Sequence, residues 1–228
     1  MQTWLPYLLH LTDPTLPIGA YTHSGGLETY VQQGLIKDAA DAAAFIRNML
    51  EQNLPYNDAF FAVQAYHAAA AGDITALVLL DQECTALKAP QELRQASQKL
   101  GMRLIKLLSP LVIHPVGEAY IAQIKEGTAI GHYCLAFGVY AFLSGIPLTE
   151  ALTAFYYNAA TGMVTNCVKL VPLGQQQGQQ ILFDLLPSLP VLVEQTLHVP
   201  RELAGRCSFG FDIRSMQHER LYSRLYMS

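Results

Sequence analysis

Charge is what this chain has least of. Its 228 residues include 14 lysines and arginines and 18 aspartates and glutamates, 14% in all, against ~25% in typical soluble domains. Between Gly127 and Phe183 the only charged residues are Glu150 and Lys169. Much of the chain is therefore buried core, or part of its surface is covered by other proteins. The net charge of −4 argues against nucleic acid as the main ligand. The four cysteines, Cys84, Cys134, Cys167 and Cys207, stand far apart with no CxxC pair. Met1 to Leu9 has no basic n-region of a signal peptide, so a reducing cytoplasm is the expected setting. Walker, GxSxG and HExxH patterns are missing, as are strand-rich runs, heptads and internal repeats. Gly127 to Thr149 is long and free of charge. Gly145 and Pro147 break it, however, and no Lys/Arg cluster flanks it, so the expectation is a soluble core with no membrane span.

What is present is helical patterning. From Thr149 to Val171, Leu152, Phe155, Tyr156, Ala159, Met163, Val164, Cys167 and Val171 fall on one apolar face. Thr149 offers an N-cap, and Pro172 and Gly174 end the run. The other face, Ala154, Asn158, Thr161, Gly162 and Thr165, is small and uncharged, which admits a second helix closely. This segment is expected to be the buried central helix of an all-α, single-domain bundle. Phe155, Met163, Val164 and Cys167 should be nearly fully buried.

Around it, punctuation marks further helices. Trp4 to His10 is short and stopped by Asp13-Pro14. Gly25 to Gln33 has Ser24 as its candidate cap. Asp38, Asp58 and Asp73 open three more, Pro90 opens Gln91–Leu108, and Val116 to Lys125 runs to Gly127. Ile130 to Leu143 is apolar nearly throughout.

Two stretches stand outside this pattern. From Asp13 to Glu28, prolines and glycines forbid regular structure while Leu16, Ile18 and Tyr21 call for burial. It reads either as a packed connection or as a rigid recognition loop, shaped by residues such as Pro17 and Gly19, with Asp13, Tyr21, Ser24 and Glu28 as polar tips. The last stretch, Arg201 to Ser228, holds five of the arginines, and its charge is about +2 against −6 for the rest. Its large residues form no single stripe. That content suits an interface segment, the alternative being a disordered terminus. The expected division is a helical body, 1–204, and an extended Arg-rich tail, 205–228. Lys169 reads equally as a helix-dipole partner or as a contact for another protein. His132, Cys134, Cys167 and His114 are the soft-ligand candidates, although His132 and Cys134 diverge on a helix.

Three stretches together carry a resemblance: Leu16-Pro-Ile-Gly-Ala-Tyr-Thr-His-Ser-Gly-Gly-Leu-Glu28, Lys169-Leu-Val-Pro-Leu-Gly174 with its glutamines to Gln179, and Asp212 to Ser228. With Arg94, Ser97 and Gly101 between them, they resemble the signature stretches of the urease accessory protein UreF family. Gln176-Gln177 and Tyr226 depart from what relatives often carry there. The resemblance implies an all-α, usually dimeric protein without catalysis. It implies assembly with a UreD/UreH-type accessory protein, recruitment of a UreG-type GTPase, possible regulation of that GTPase, and nickel delivery to apo-urease. No cofactor is expected to be bound intrinsically; nickel is handled by the assembled complex. On the GTPase side the expected residues are Asp13, Pro17, Gly19, Tyr21, Ser24, Glu28 and Lys169. On the UreD/UreH side they are Arg206, Arg214, Met216, His218, Arg220, Leu221, Tyr222, Arg224 and Leu225. Two alternatives stay open: a metallochaperone that binds nickel directly, and a small helical enzyme with an unrecognised site.

Overall fold

A computed structural model describes residues 3–20 and 23–226, and among these there is no strand. The helices are α1 (Leu5–Leu11), α2 (Leu27–Gln32), α3 (Ala39–Asn48), α4 (Asp58–Ala71), α5 (Ile74–Leu87), α6 (Gln91–Leu108), α7 (Pro115–Glu126), α8 (Tyr133–Leu143), α9 (Leu148–Leu170), α10 (Gln175–Leu185), α11 (Leu189–Leu197) and α12 (Phe209–His218). Most begin and end where the sequence says. The carboxylates of Asp38 and Asp73 accept from the backbone N–H of Asp41 and Ala76, capping α3 and α5. Gly72 and Gly127 close α4 and α7 in the left-handed conformation.

The deepest helix is α8, where every residue from Cys134 to Ala141 is buried. It lies against α4 so closely that a Cβ on Gly138 would sit 2.2 Å from the Ala62 carbonyl oxygen. Helix α6 crosses its start in the same way. There Ser97 Oγ meets His132 Nδ1 at 3.1 Å and accepts from the Tyr133 N–H, and Gly101 faces the Gly131 carbonyl. This contact gives Ser97 and Gly101 their place in the sequence. One carboxylate organises the turn before α8: Asp81 Oδ2 accepts from Tyr120 Oη and from the N–H groups of Ile130 and Gly131.

Helix α9 is the longest and packs against α10, α11 and α4, but it is less enclosed than its sequence suggests. Phe155, Val164 and Cys167 are buried as expected, whereas Met163 is only half-buried. Pro147, not Thr149, stands at its N-cap. Its small face is covered only in part. A Cβ on Gly162 would meet nothing within 4 Å, and Thr165 is exposed. Asn158 and Thr161 are half-buried.

The larger correction concerns the tail, which is not extended. Residues 209–218 are helical, and α12 packs on α2 and α6. The lead-in is held too: the Gly205 N–H donates to the Tyr56 carbonyl at 2.7 Å, and Asn53 Nδ2 to Ser208 Oγ at 3.0 Å. No described helix is long and apolar enough to cross a membrane.

Candidate functional site: a loop surface closed by the tail

The loop between α1 and α2 is pinned at several points. Asp13 Oδ1 accepts from the Thr15 N–H and hydroxyl, a local turn that leaves Asp13 at the surface. Leu16 and Ile18 are buried beneath it. Arg103 of α6 donates to the Ile18 carbonyl at 2.9 Å, and Asn166 of α9 donates to the His23 carbonyl at 2.9 Å. Burial, then the cations Lys99 and Arg103, hold the His23 pKa below its ordinary value. The loop is thus built on the core by two long helices, as the proline and glycine content anticipates.

Glu28 is where the tail joins it. Near the start of α2 a carboxylate has an ordinary role at the helix dipole, but this one is 4% exposed and faces inward. Its Oε1 accepts from the Leu225 N–H at 2.8 Å, and its Oε2 from the Tyr226 N–H at 3.2 Å. The same Oε2 lies 3.2 Å from His218 Nε2. The other ring nitrogen of His218 is 2.6 Å from Glu92 of α6, and Arg224 donates to the second Glu92 oxygen at 2.7 Å. Two carboxylates, one imidazole and one guanidinium therefore fasten residues 218–226 over α2 and α6. Farther back, Arg214 lies 4.7 Å above the Tyr30 ring, and Arg206 lies 4.4 Å above Tyr56.

The residues singled out from sequence separate into those that hold the tail and those it presents. Glu28, Arg206, Arg214, His218 and Arg224 make internal contacts. Met216, Arg220, Tyr222 and Leu225 are exposed, and Leu221 is half-buried. On the loop side Asp13 and Pro17 are exposed, while Gly19 and Ser24 are buried. Tyr21 lies outside the described residues. Lys169 is exposed, three residues along α9 from Asn166 and so on a neighbouring part of the helix surface.

Glu92, Arg103, Asn166 and Tyr30 belong to this site and had no local signal in the sequence. One pattern was legible but missed. Phe209, Ile213 and Met216, at i, i+4 and i+7, form an exposed apolar stripe along α12, 75%, 53% and 42% accessible. Tyr222 and Leu225, fully and two-thirds exposed, continue the apolar surface.

The soft-ligand candidates are not gathered. His132 is held between Thr85 and Ser97, His114 caps α7, and among the described residues no three His, Cys, Asp or Glu side chains form a metal-binding group. Cys84 and Cys134, distant in sequence, do meet, their sulfurs 3.8 Å apart and buried.

Comparison with known proteins gives the family. The UreF family model matches residues 36–186, which leaves out both the loop and the tail. Whole-chain relatives include both. A urease accessory protein UreF from Actinobacillus pleuropneumoniae serotype 5b is 46% identical over 221 residues, 97% of each chain. One from Haemophilus influenzae strain Rd is 44% identical over 226 residues, 99% of this chain and 96% of the relative. A more distant one from Arthrobacter sp. is 36% identical over 97% of this chain and 96% of its own length. The chain belongs to the UreF family of urease accessory proteins.

Proposed function

We propose that this chain is a urease-maturation chaperone that joins a UreD/UreH-type accessory protein through its tail and recruits a UreG-type GTPase beside its N-terminal loop. The family is an accessory, non-catalytic one. The assembly, rather than this chain alone, delivers nickel to apo-urease, and it works in the cytoplasm without nucleic acid or membrane. The observation that carries this reading is the shared carboxylate. Glu28 follows the loop directly in sequence and holds the backbone of Leu225 and Tyr226, so a protein seated on the tail also fixes the loop. The apolar stripe Phe209, Ile213 and Met216 faces outward on the same tail, and aromatic and methionine side chains of this kind form the centres of protein interfaces. Asp13, Pro17 and Lys169, exposed around the loop, form the GTPase side.

We place a second copy of the chain on the uncovered side of α9. Gly162 and Thr165 lie open there, and exposed Tyr157 and Phe183 border a groove between α9 and α10. The decisive experiment is a pull-down in two stages: capture of the UreD/UreH-type partner, then retention of the GTPase. The reading expects Phe209→Asp/Ile213→Asp to fail at the first stage, and Lys169→Ala to pass the first and fail the second. Normal behaviour of both variants at both stages would overturn it.

A further inference from the structure

Two histidines are fully buried in this protein, and their partners differ in kind. His132 is flanked by two hydroxyls, Thr85 Oγ1 at 2.9 Å and Ser97 Oγ at 3.1 Å. A hydroxyl either donates or accepts, so a neutral imidazole satisfies both contacts. His218 is flanked by two carboxylates, Glu92 Oε2 at 2.6 Å and Glu28 Oε2 at 3.2 Å. A carboxylate only accepts, and a neutral imidazole has one N–H to give. With the ring uncharged, one carboxylate oxygen would face a nitrogen lone pair inside the protein. The arrangement calls for a proton on each ring nitrogen.

We infer that His218 is a proton-dependent latch: doubly protonated, it ties α12 to both Glu28 and Glu92, and loss of its second proton to solvent as the pH rises releases residues 218–226 from α2 and α6. The charges around the ring support a cation in that place. Glu28 faces it from α2 and Glu92 from α6, while Arg224 lies beyond Glu92 and Tyr226 beyond Glu28. His23 of the loop senses Glu92 from the other side, along with Lys99 and Arg103. Arg224 and the two backbone N–H groups balance part of the negative charge, and the imidazolium balances the rest.

Two exposed glutamines add to the seam, Gln32 Nε2 donating to the Ser223 carbonyl at 3.0 Å and Gln33 Nε2 to Gln217 Oε1 at 2.9 Å, but its buried part is incompletely paired. Thr29 Oγ1, Arg214 Nε, Ser215 Oγ and Tyr226 Oη are buried around this contact without a hydrogen-bond partner among the described residues. Buried polar atoms left unpaired favour opening, because water satisfies them once the tail lifts. When His218 loses its charge, the same cost is added at Glu28 or Glu92. The outcome is a segment whose attachment is reversible at the expense of one proton. This inference concerns the isolated chain and holds whichever partner the tail meets.

The test uses the full-length chain with nitrogen-15 in its histidine rings. Ring-nitrogen shifts report the protonation of His218, and hydrogen exchange of residues 219–226, corrected for intrinsic rates, reports tail opening. Below the ring's titration both nitrogens should carry protons and the Leu225 and Tyr226 amides should be protected. Opening should rise as the pH approaches that titration, by at most tenfold per pH unit for one linked proton, and level off once the ring in the closed tail has lost its second proton. In H218Q, a neutral amide in place of the ring, the opening should be greater and flat with pH. In E92Q, with one anion fewer but an oxygen still there to accept, release should move to lower pH. A His218 ring that is neutral while the tail is protected overturns the latch. So does an identical pH course in the wild type and H218Q.

Discussion

Ser215 of α12 lies so close to Gly26 that a Cβ at position 26 would come within 2.5 Å of its hydroxyl oxygen and 3.2 Å of its Cα. Gly26 also has φ of +80° at the N-cap of α2. Two penalties therefore fall on Gly26→Ala: a left-handed backbone, costing about 1–2 kcal/mol, and a clash with the tail helix. The tail should lift while the α4–α8 core keeps its melting behaviour. Hydrogen exchange resolved by segment checks this, with loss of protection expected in 209–226 and not in 133–143.

Glu28→Ala should not behave like the removal of a helix-dipole partner, which costs ~0.3–1 kcal/mol. It strips the acceptor from two backbone N–H groups and from His218, all buried or half-buried. Breaking such a group by removing one member costs about 3 kcal/mol. The loss should be read as tail opening, by proteolysis after Arg220 or Arg224, with far-UV circular dichroism little changed. Intact resistance to trypsin in the variant would show that Glu28 does not hold the tail.

Acid should weaken the core through His132. Burial holds its pKa down, to about 4, so between the ordinary histidine value and that one the unfolded chain binds a proton the folded chain refuses. Stability is complete above the unfolded value, near pH 6.5, and declines as the pH falls toward 4, by about 3 kcal/mol in all. Urea midpoints should fall across that window in the wild type. In His132→Gln they should fall less, whatever the variant's starting stability.

Asp58 adds a second, lower window. Burial raises its pKa, but the Lys88 ammonium 2.7 Å away and the hydrogen bonds it receives more than reverse that, leaving it below the ordinary value. A depressed carboxylate stabilises above its unfolded value and loses this as the pH drops through the folded one. Lys88→Met should therefore shift acid unfolding to higher pH. Its measure is the midpoint of acid-induced loss of circular dichroism.

Deleting residues 206–228 should leave the helices of 27–197 in place, because the core does not need α12 for its closure. The exposed seam on α2 and α6 would then carry Glu28 and Glu92 without their partners, so the truncated chain should be less stable and still cooperative. A chain that fails to fold would show that the tail belongs to the core.

Helix positions were legible wherever a local chemical reason exists. Gln91–Leu108 was placed to the residue because Pro90 cannot continue a helix backward and the Leu100, Leu104, Leu107 side keeps its period. Asp58–Ala71 was equally clear from Gly72. Burial around α9 was harder to read, because small uncharged residues such as Gly162 and Thr165 suit a helix contact and open surface alike. The docked course of the tail has no such local reason. The place of His218 is set by what it meets, and its partners Glu92 and Glu28 lie 126 and 190 positions away. No periodicity spans that distance. Phe209, Ile213 and Met216 carry a visible i, i+4, i+7 pattern, but it does not run on into Leu221, Tyr222 and Leu225, so no one stripe spans the tail.

The bonds from Glu28 to residues 218–226 close a loop of nearly the whole polypeptide, up to 198 positions apart. Contacts of such separation form late, since the intervening chain must already be compact before its ends can meet. They also rank among the first to open, because little beyond the seam holds them. The helical core should therefore appear first during refolding, and the surface that unites the loop with the tail should mature afterward, in a slower phase of its own. A partner that arrives before that phase would meet a folded protein whose binding surface is not yet assembled.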